Sequence, residues 1–174
     1  YWTNVFGKPS TLELVRNTVF IVAAGCTIAT VTAAILAWIN ERTNASVGSA
    51  GRFLPLIPFF MPALSFPLGW VFLASPKVGL LNVTIRNVFL EPFGIHIETG
   101  PFDVFSWYGM VFLYSVPLCA FAYLVISSAM RNLDGGLEEA AKMAGANPVK
   151  ILLGIVFPAL RPAMISTFLI CLIP

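Results

Sequence analysis

Four long apolar runs limit what this chain can become. They cover residues 18–39, 53–74, 106–130 and 151–174, and the segment 75–105 between the second and third is long for a connection. A helix that crosses the hydrocarbon core of a bilayer needs about 20 mostly apolar residues, and the first three runs reach that length. Charged residues are 10% of the chain, where soluble domains carry roughly 25%. An all-α fold follows, a polytopic transmembrane helix bundle embedded in a lipid bilayer. The formal net charge of +2 leaves no basic footprint for nucleic acid.

The fourth run is interrupted by a polar island, Glu138 to Pro162, that reads as a helical hairpin. Asp134 can cap a helix start, since its carboxylate can accept from free backbone N–H groups. Glu138 and Glu139 then fall in the first turn, where the helix dipole favours negative charge. Glu138 and Lys142 are spaced as an i,i+4 ion pair. Leu137, Ala140, Ala141 and Ala144 share one narrow face of small side chains, suited to insertion into a groove. Gly145 stands where a left-handed C-terminal residue is wanted. Asn147 and Pro148 form an N-cap and first-turn pair for a second helix. Helix, tight turn, helix is the expected unit.

This island resembles the cytoplasmic loop of ABC importer permeases, the membrane subunits of binding-protein-dependent transport systems. The family pattern of Glu-Ala-Ala, then Gly, then Ile-x-Leu-Pro is met by Glu139, Ala140, Ala141, Gly145, Ile155 and Pro158, with Phe157 in place of the usual Leu. Asn17-Thr18, Leu36-Ala37-Trp38, Arg42-Thr43 and Gly79-Leu80-Leu81-Asn82 look like the ferric-iron, thiamine and polyamine branch. The resemblance implies a coupling helix in the loop 131–158 that sits in a cleft of a separate cytoplasmic ATPase. Glu138 and Glu139 would lie at its start, with Glu139 in polar contact with the motor. Ala140 and Ala141 would pack in the cleft and Gly145 would make the turn. It further implies a second permease half, an external substrate-binding protein, and a place in the bacterial inner membrane. The alternative is an ordinary surface helix at the membrane interface.

Once the loop pattern is set apart, the last run leaves 159–174, short for a full crossing. A span cut short is therefore expected, in a single permease domain that is a fragment of a longer chain. Placing the 131–158 loop in the cytoplasm puts Arg42, Arg52, Arg131, Lys142 and Lys150 inside, with Lys8, Lys77 and Arg86 outside. That is a small excess in the direction of the positive-inside rule. The N-terminus and the 75–105 segment then lie outside. In the first span, Gly25, Ala29, Ala33 and Ala37 form a small-residue seam that lets another helix come close. Pro55, Pro58, Pro62 and Pro67 interrupt the second. Pro62, Pro67 and, in the third span, Pro117 are candidate kinks beside a translocation path. Phe89, Phe93, Phe102, Phe105, Trp107 and Tyr108 suit an interfacial aromatic belt.

Enzyme chemistry has little to stand on. His96 is the lone histidine and reads as a loop hydrogen-bonder. Cys26, Cys119 and Cys171 are far apart and read as small core residues rather than a disulfide or metal site. The nearest approach to a phosphate loop, residues 136–143, lacks the second Gly and the Ser or Thr after Lys142. No cofactor is expected in this chain, and ATP would be bound by the partner. A secondary transporter driven by an ion gradient would commonly carry Asp, Glu or His within its spans, and the first three runs hold none. A non-transporting membrane scaffold is the other alternative. Among importer cargoes the branch-like residues point to ferric iron, with polyamine or thiamine next.

Overall fold

The computed structural model describes residues 9–43, 48–90, 94 and 99–173, and every regular element among them is helical. Lys8, Phe93 and His96, each given a place above, lie outside the described residues. The elements are α1 (Pro9–Arg42), α2 (Gly48–Phe53), a 3-10 helix (Leu54–Phe60), α3 (Ser65–Ala74), α4 (Leu80–Ile85), a π-helical turn (Arg86–Leu90), α5 (Trp107–Arg131), α6 (Gly136–Met143), α7 (Pro148–Ile151), a second π-helical turn (Leu152–Val156) and α8 (Phe157–Cys171).

Three helical stretches, Ser10–Arg42, Trp107–Arg131 and Pro148–Cys171, are long and apolar enough to cross a membrane. The last differs from the sequence expectation, which began the span at residue 159. Asn147 and Pro148 start a helix that does not stop at Pro158. The wide π turn over Leu152–Val156 resets the hydrogen-bond ladder just ahead of a residue with no N–H to give.

The 53–74 run is not one helix. Pro58 lies inside the 3-10 helix. Pro62 lies in the break that follows, where its carbonyl accepts from the Ser65 N–H at 2.9 Å. Pro67 makes no kink: it is the third residue of α3, where a missing N–H costs nothing because first-turn N–H groups have no intrahelical partner. Pro117 sits inside α5, which continues through it as helix.

The chain divides into two compact units, residues 1–25 with 60–117 and residues 26–59 with 118–174. In the first unit, Phe66, Trp70 and Phe112 form an aromatic cluster, with Trp70 and Phe112 edge-to-face at 4.9 Å. Phe20 meets Trp107 in the same manner at 5.8 Å. Gly25 lies against the Tyr114 ring so closely that a Cβ would stand 2.6 Å from it.

Side-chain hydrogen bonds fasten the described part of the 75–105 connection. Asn82 is wholly buried. Its amide donates to the carbonyls of Ser75 (2.9 Å) and Phe102 (2.6 Å), and its Oδ1 accepts from the Phe102 N–H at 3.0 Å. Gly100 passes so near that an added Cβ would fall 2.2 Å from the Asn82 side chain. Phe89, Phe102, Phe105 and Tyr108 are exposed.

In the second unit the core joins Ala33 and Ala37 of α1, Ala122, Tyr123, Ile126 and Met130 of α5, and Ile151, Val156 and Leu160 of the last helical stretch. Cys26, Ala29, Ala33 and Ala37 are completely buried, while Ile28, Val31 and Ile35 on the same helix are about half exposed. Small side chains inside and large apolar ones outside invert the order of a water-soluble core. This arrangement suits helices that pack through close backbone approach and show their bulk to lipid. Two of the polar groups within are paired with each other or with backbone, whereas the buried Thr30 hydroxyl has no hydrogen-bond partner among the described residues. Asn40 Nδ2 donates to the Tyr123 hydroxyl at 3.3 Å, and the Cys26 thiol donates to the Cys171 carbonyl at 3.1 Å.

Candidate functional site

The hairpin expected from the sequence is present and closes through local hydrogen bonds. Asp134 Oδ1 accepts from the Gly136 N–H at 3.0 Å, although the residue at the helix boundary is Gly135 rather than Asp134. At the other end of α6, the Gly145 N–H bonds the Lys142 carbonyl and the Ala146 N–H bonds the Ala141 carbonyl, both at 3.0 Å. This paired closure needs a left-handed residue between its two bonds, and Gly145 supplies φ +81. Asn147 then caps α7, its Oδ1 accepting from the Lys150 N–H at 2.8 Å, with Pro148 in the first turn.

The two adjacent carboxylates have different fates. Glu138 is not an exposed partner of Lys142. It is buried, and its Oε1 lies 3.3 Å from Arg42 Nε. That contact is an ion pair without hydrogen-bond alignment. Arg42 Nη2 also donates to the carbonyls of Met130 (2.8 Å) and Leu133 (3.0 Å). One guanidinium thus holds the end of α1, the carboxyl end of α5 and the first turn of α6 together. Sequence reasoning missed this because Arg42 and Glu138 are remote in the chain. The only signal was an Arg in the last turn of one helix and a second acid in the first turn of another.

Glu139, by contrast, is exposed, as are Ala140, Met143, Ala144 and Leu137. Ala141 is not on that open surface. It is partly buried and packs on the chain's own core, as does Ala146. The four-residue face inferred from spacing is therefore divided, with Leu137, Ala140 and Ala144 outward and Ala141 inward. Ile155, Phe157 and Pro158 lie beyond the hairpin, in the π turn and the start of α8. Ile155 and Pro158 are half-buried and Phe157 is 39% exposed, while their neighbours Val156 and Leu160 fill the core.

Known proteins resemble this chain in sequence and in fold. The family model for the binding-protein-dependent transport system inner membrane component matches residues 25–174. A 2-aminoethylphosphonate transport system permease protein of Salmonella typhimurium, PhnU, is 26% identical over 156 residues, covering 88% of this chain and 51% of the relative. The diacetylchitobiose uptake system permease protein NgcF of Streptomyces coelicolor is 26% identical over 126 residues, covering 68% and 33%. The putrescine transport system permease protein PotI of Escherichia coli is 43% identical over 61 residues, covering 34% and 22%. A bacterial alginate ABC transporter, crystallised with a pentasaccharide-bound periplasmic protein, has a similar fold: TM-score 0.76 at 18% identity, covering 98% of this chain and 58% of that one. The chain spans between a third and about half the length of the first two relatives. It belongs to the family of inner membrane components of binding-protein-dependent transport systems.

Proposed function

We propose that this chain is part of a permease subunit of an ATP-driven importer in a bacterial inner membrane, and that α6 is the element through which a separate ATPase moves it. The observation that carries this reading is the divided surface of α6. One side is tied to α1 and α5 through Glu138 and Arg42, and the other presents Leu137, Glu139, Ala140, Met143 and Ala144 without cover. A lever needs both an anchored face and a free one. The 131–158 loop is then cytoplasmic, and the 75–105 segment faces outward toward a substrate-binding protein. Nucleotide would bind on the ATPase, and a second permease half would complete the path. The cargo reading shifts from iron toward a sugar, phosphonate or polyamine, the solutes named for the relatives above.

The test is cross-linking in the assembled transporter. Cysteine placed at Ala140 should cross-link to the ATPase, and cysteine at Ala141 should not, because its side chain points into the permease core. Equal cross-linking at both positions, or none at either, would overturn the coupling assignment. Orientation is checked with an impermeant thiol reagent in cells, in a background without native cysteines. Val78→Cys should label from outside and Asn132→Cys should not. Asn82, the more obvious outer probe from sequence, is wholly buried and unsuitable.

A further inference from the structure

Arg52 and Arg131 face each other across a cavity of about 550 Å³ in the second unit. Below them lies one carboxylate. The Glu41 side chain is 5% exposed, and its oxygens stand 3.7 Å from Arg52 Nη2 and 3.5 Å from Arg131 Nη1. These are contacts of charge rather than hydrogen bonds, since Glu41 Oε1 has no hydrogen-bond partner. Two half-exposed guanidiniums therefore share one negative charge, leave a net positive charge, and keep most of their donors unused. The other nearby arginine adds nothing to the excess, because Arg42 is paired with Glu138.

The rest of the lining fits an anion with an apolar tail. Ser127 is 3% exposed and lines the cavity, where its hydroxyl can donate to an anion. The Tyr123 hydroxyl accepts from Asn40, which leaves its own proton free to be donated. Phe53 and Leu124 complete the wall and remain open at the surface. The negative end of α5, which would repel an anion, is covered by Arg42 at the carbonyls of Met130 and Leu133. Planar guanidinium forks bind phosphate oxygens well, and basic pockets between helices at the cytoplasmic side of a membrane take phospholipid headgroups.

We infer that this cavity binds a phosphate group, with Arg52 and Arg131 as the anion clamp and Phe53 and Leu124 as the bed for an acyl chain. The occupant is the phosphodiester of an anionic phospholipid in the inner leaflet. Only the choice of leaflet rests on the orientation proposed above. The clamp itself is tested in detergent, where both faces are open, so its failure and a failure of the orientation are read separately.

The experiment is native mass spectrometry of the purified full transporter titrated with phosphatidylglycerol, phosphatidylcholine or inorganic phosphate. Phosphatidylglycerol should be retained over phosphatidylcholine. Arg52→Gln and Arg131→Gln should each weaken it about five-fold, the effect of one basic group near an anionic headgroup. Arg52→Lys should keep most of the preference. Glu41→Gln should strengthen binding, because it releases both guanidiniums. A merely structural triad predicts no such opposite sign. Saturable binding of inorganic phosphate that needs both arginines, without lipid preference, would support the clamp and assign it to a free anion. A preference unchanged in both Gln variants, or a wild type that neither prefers phosphatidylglycerol nor binds inorganic phosphate, would overturn the inference.

Discussion

Two connections, 75–105 and 131–158, are each fastened by one polar side chain, and the two fasteners differ in kind. Asn82 spends all three of its hydrogen bonds on its own connection. It sets the shape of that segment and nothing else. Arg42 reaches the Met130 and Leu133 carbonyls and Glu138. It sets where the second connection sits against α1 and α5. The first device makes a self-contained segment. The second makes a joint, because any displacement of α6 must be borne by α1 and α5 or break a largely buried ion pair.

The largest effect should come from breaking the self-contained device. Asn82→Leu takes the partner from the Phe102 N–H and carbonyl, at about 1–3 kcal/mol each, while the Ser75 carbonyl keeps its bond from the Gly79 N–H. We expect little folded protein, measured as monodisperse yield and thermal unfolding in detergent. Gly100→Ala should fail in the same direction, since the Cβ would collide with Asn82. Near wild-type melting of Asn82→Leu would show that the connection is held by something else.

Arg42→Met comes next. It leaves Glu138 buried and unpaired, and breaking such a pair costs about 3–5 kcal/mol. The lower end applies, because the Arg42 side chain is 19% exposed. The double variant Arg42→Met, Glu138→Leu should recover much of the lost melting temperature, because it removes both charges. It should not recover transport, because the joint is gone. Full transport in the double variant would reduce Arg42 to a packing residue.

What was legible in the sequence divides along the same line. The caps of α6 and α7 use contiguous residues, so Gly145 and Asn147 could be read directly, and the small-residue seam of α1 needed only a period of four. The Arg42 joint and the Asn82 fastener depend on which distant segments meet, and nothing in local propensity encodes that. The inward turn of Ala141 was lost for the same reason: helical spacing groups it with Ala140 and Ala144, and only its contact with the core separates them. The early start of the last helix was missed because Pro158 was taken as the end of the loop, and a π turn absorbed it.

Gly145→Val should cost about 1–2 kcal/mol, the penalty of a left-handed backbone for a residue with a Cβ, and more for a β-branched one. No atom lies within 4 Å of the position a Cβ would take, so the cost is backbone strain and not collision. Gly145→Asn should be milder, since Asn tolerates that region. Transport should fall with Val and largely survive with Asn, at equal amounts of protein in the membrane. Equal transport by the two variants would mean that the turn geometry is not what positions α7.

The smallest effect on folding should accompany a large effect on coupling. Glu139 is exposed, so Glu139→Ala removes only a first-turn acid worth about 0.3–1 kcal/mol. Glu138→Ala, one residue away, should behave oppositely: it strands Arg42 inside the joint and lowers the melting temperature of the permease alone. If α6 docks by its open face, Glu139→Ala deprives the ATPase of a charge-assisted contact. Substrate-stimulated hydrolysis and uptake should then drop while the permease folds and inserts as before. The pair is measured together, by melting of the isolated permease and by ATPase activity and transport of the reconstituted complex. Both variants losing stability alike would place Glu139 in the joint, whereas unchanged coupling in Glu139→Ala would remove this face of α6 from the contact with the motor.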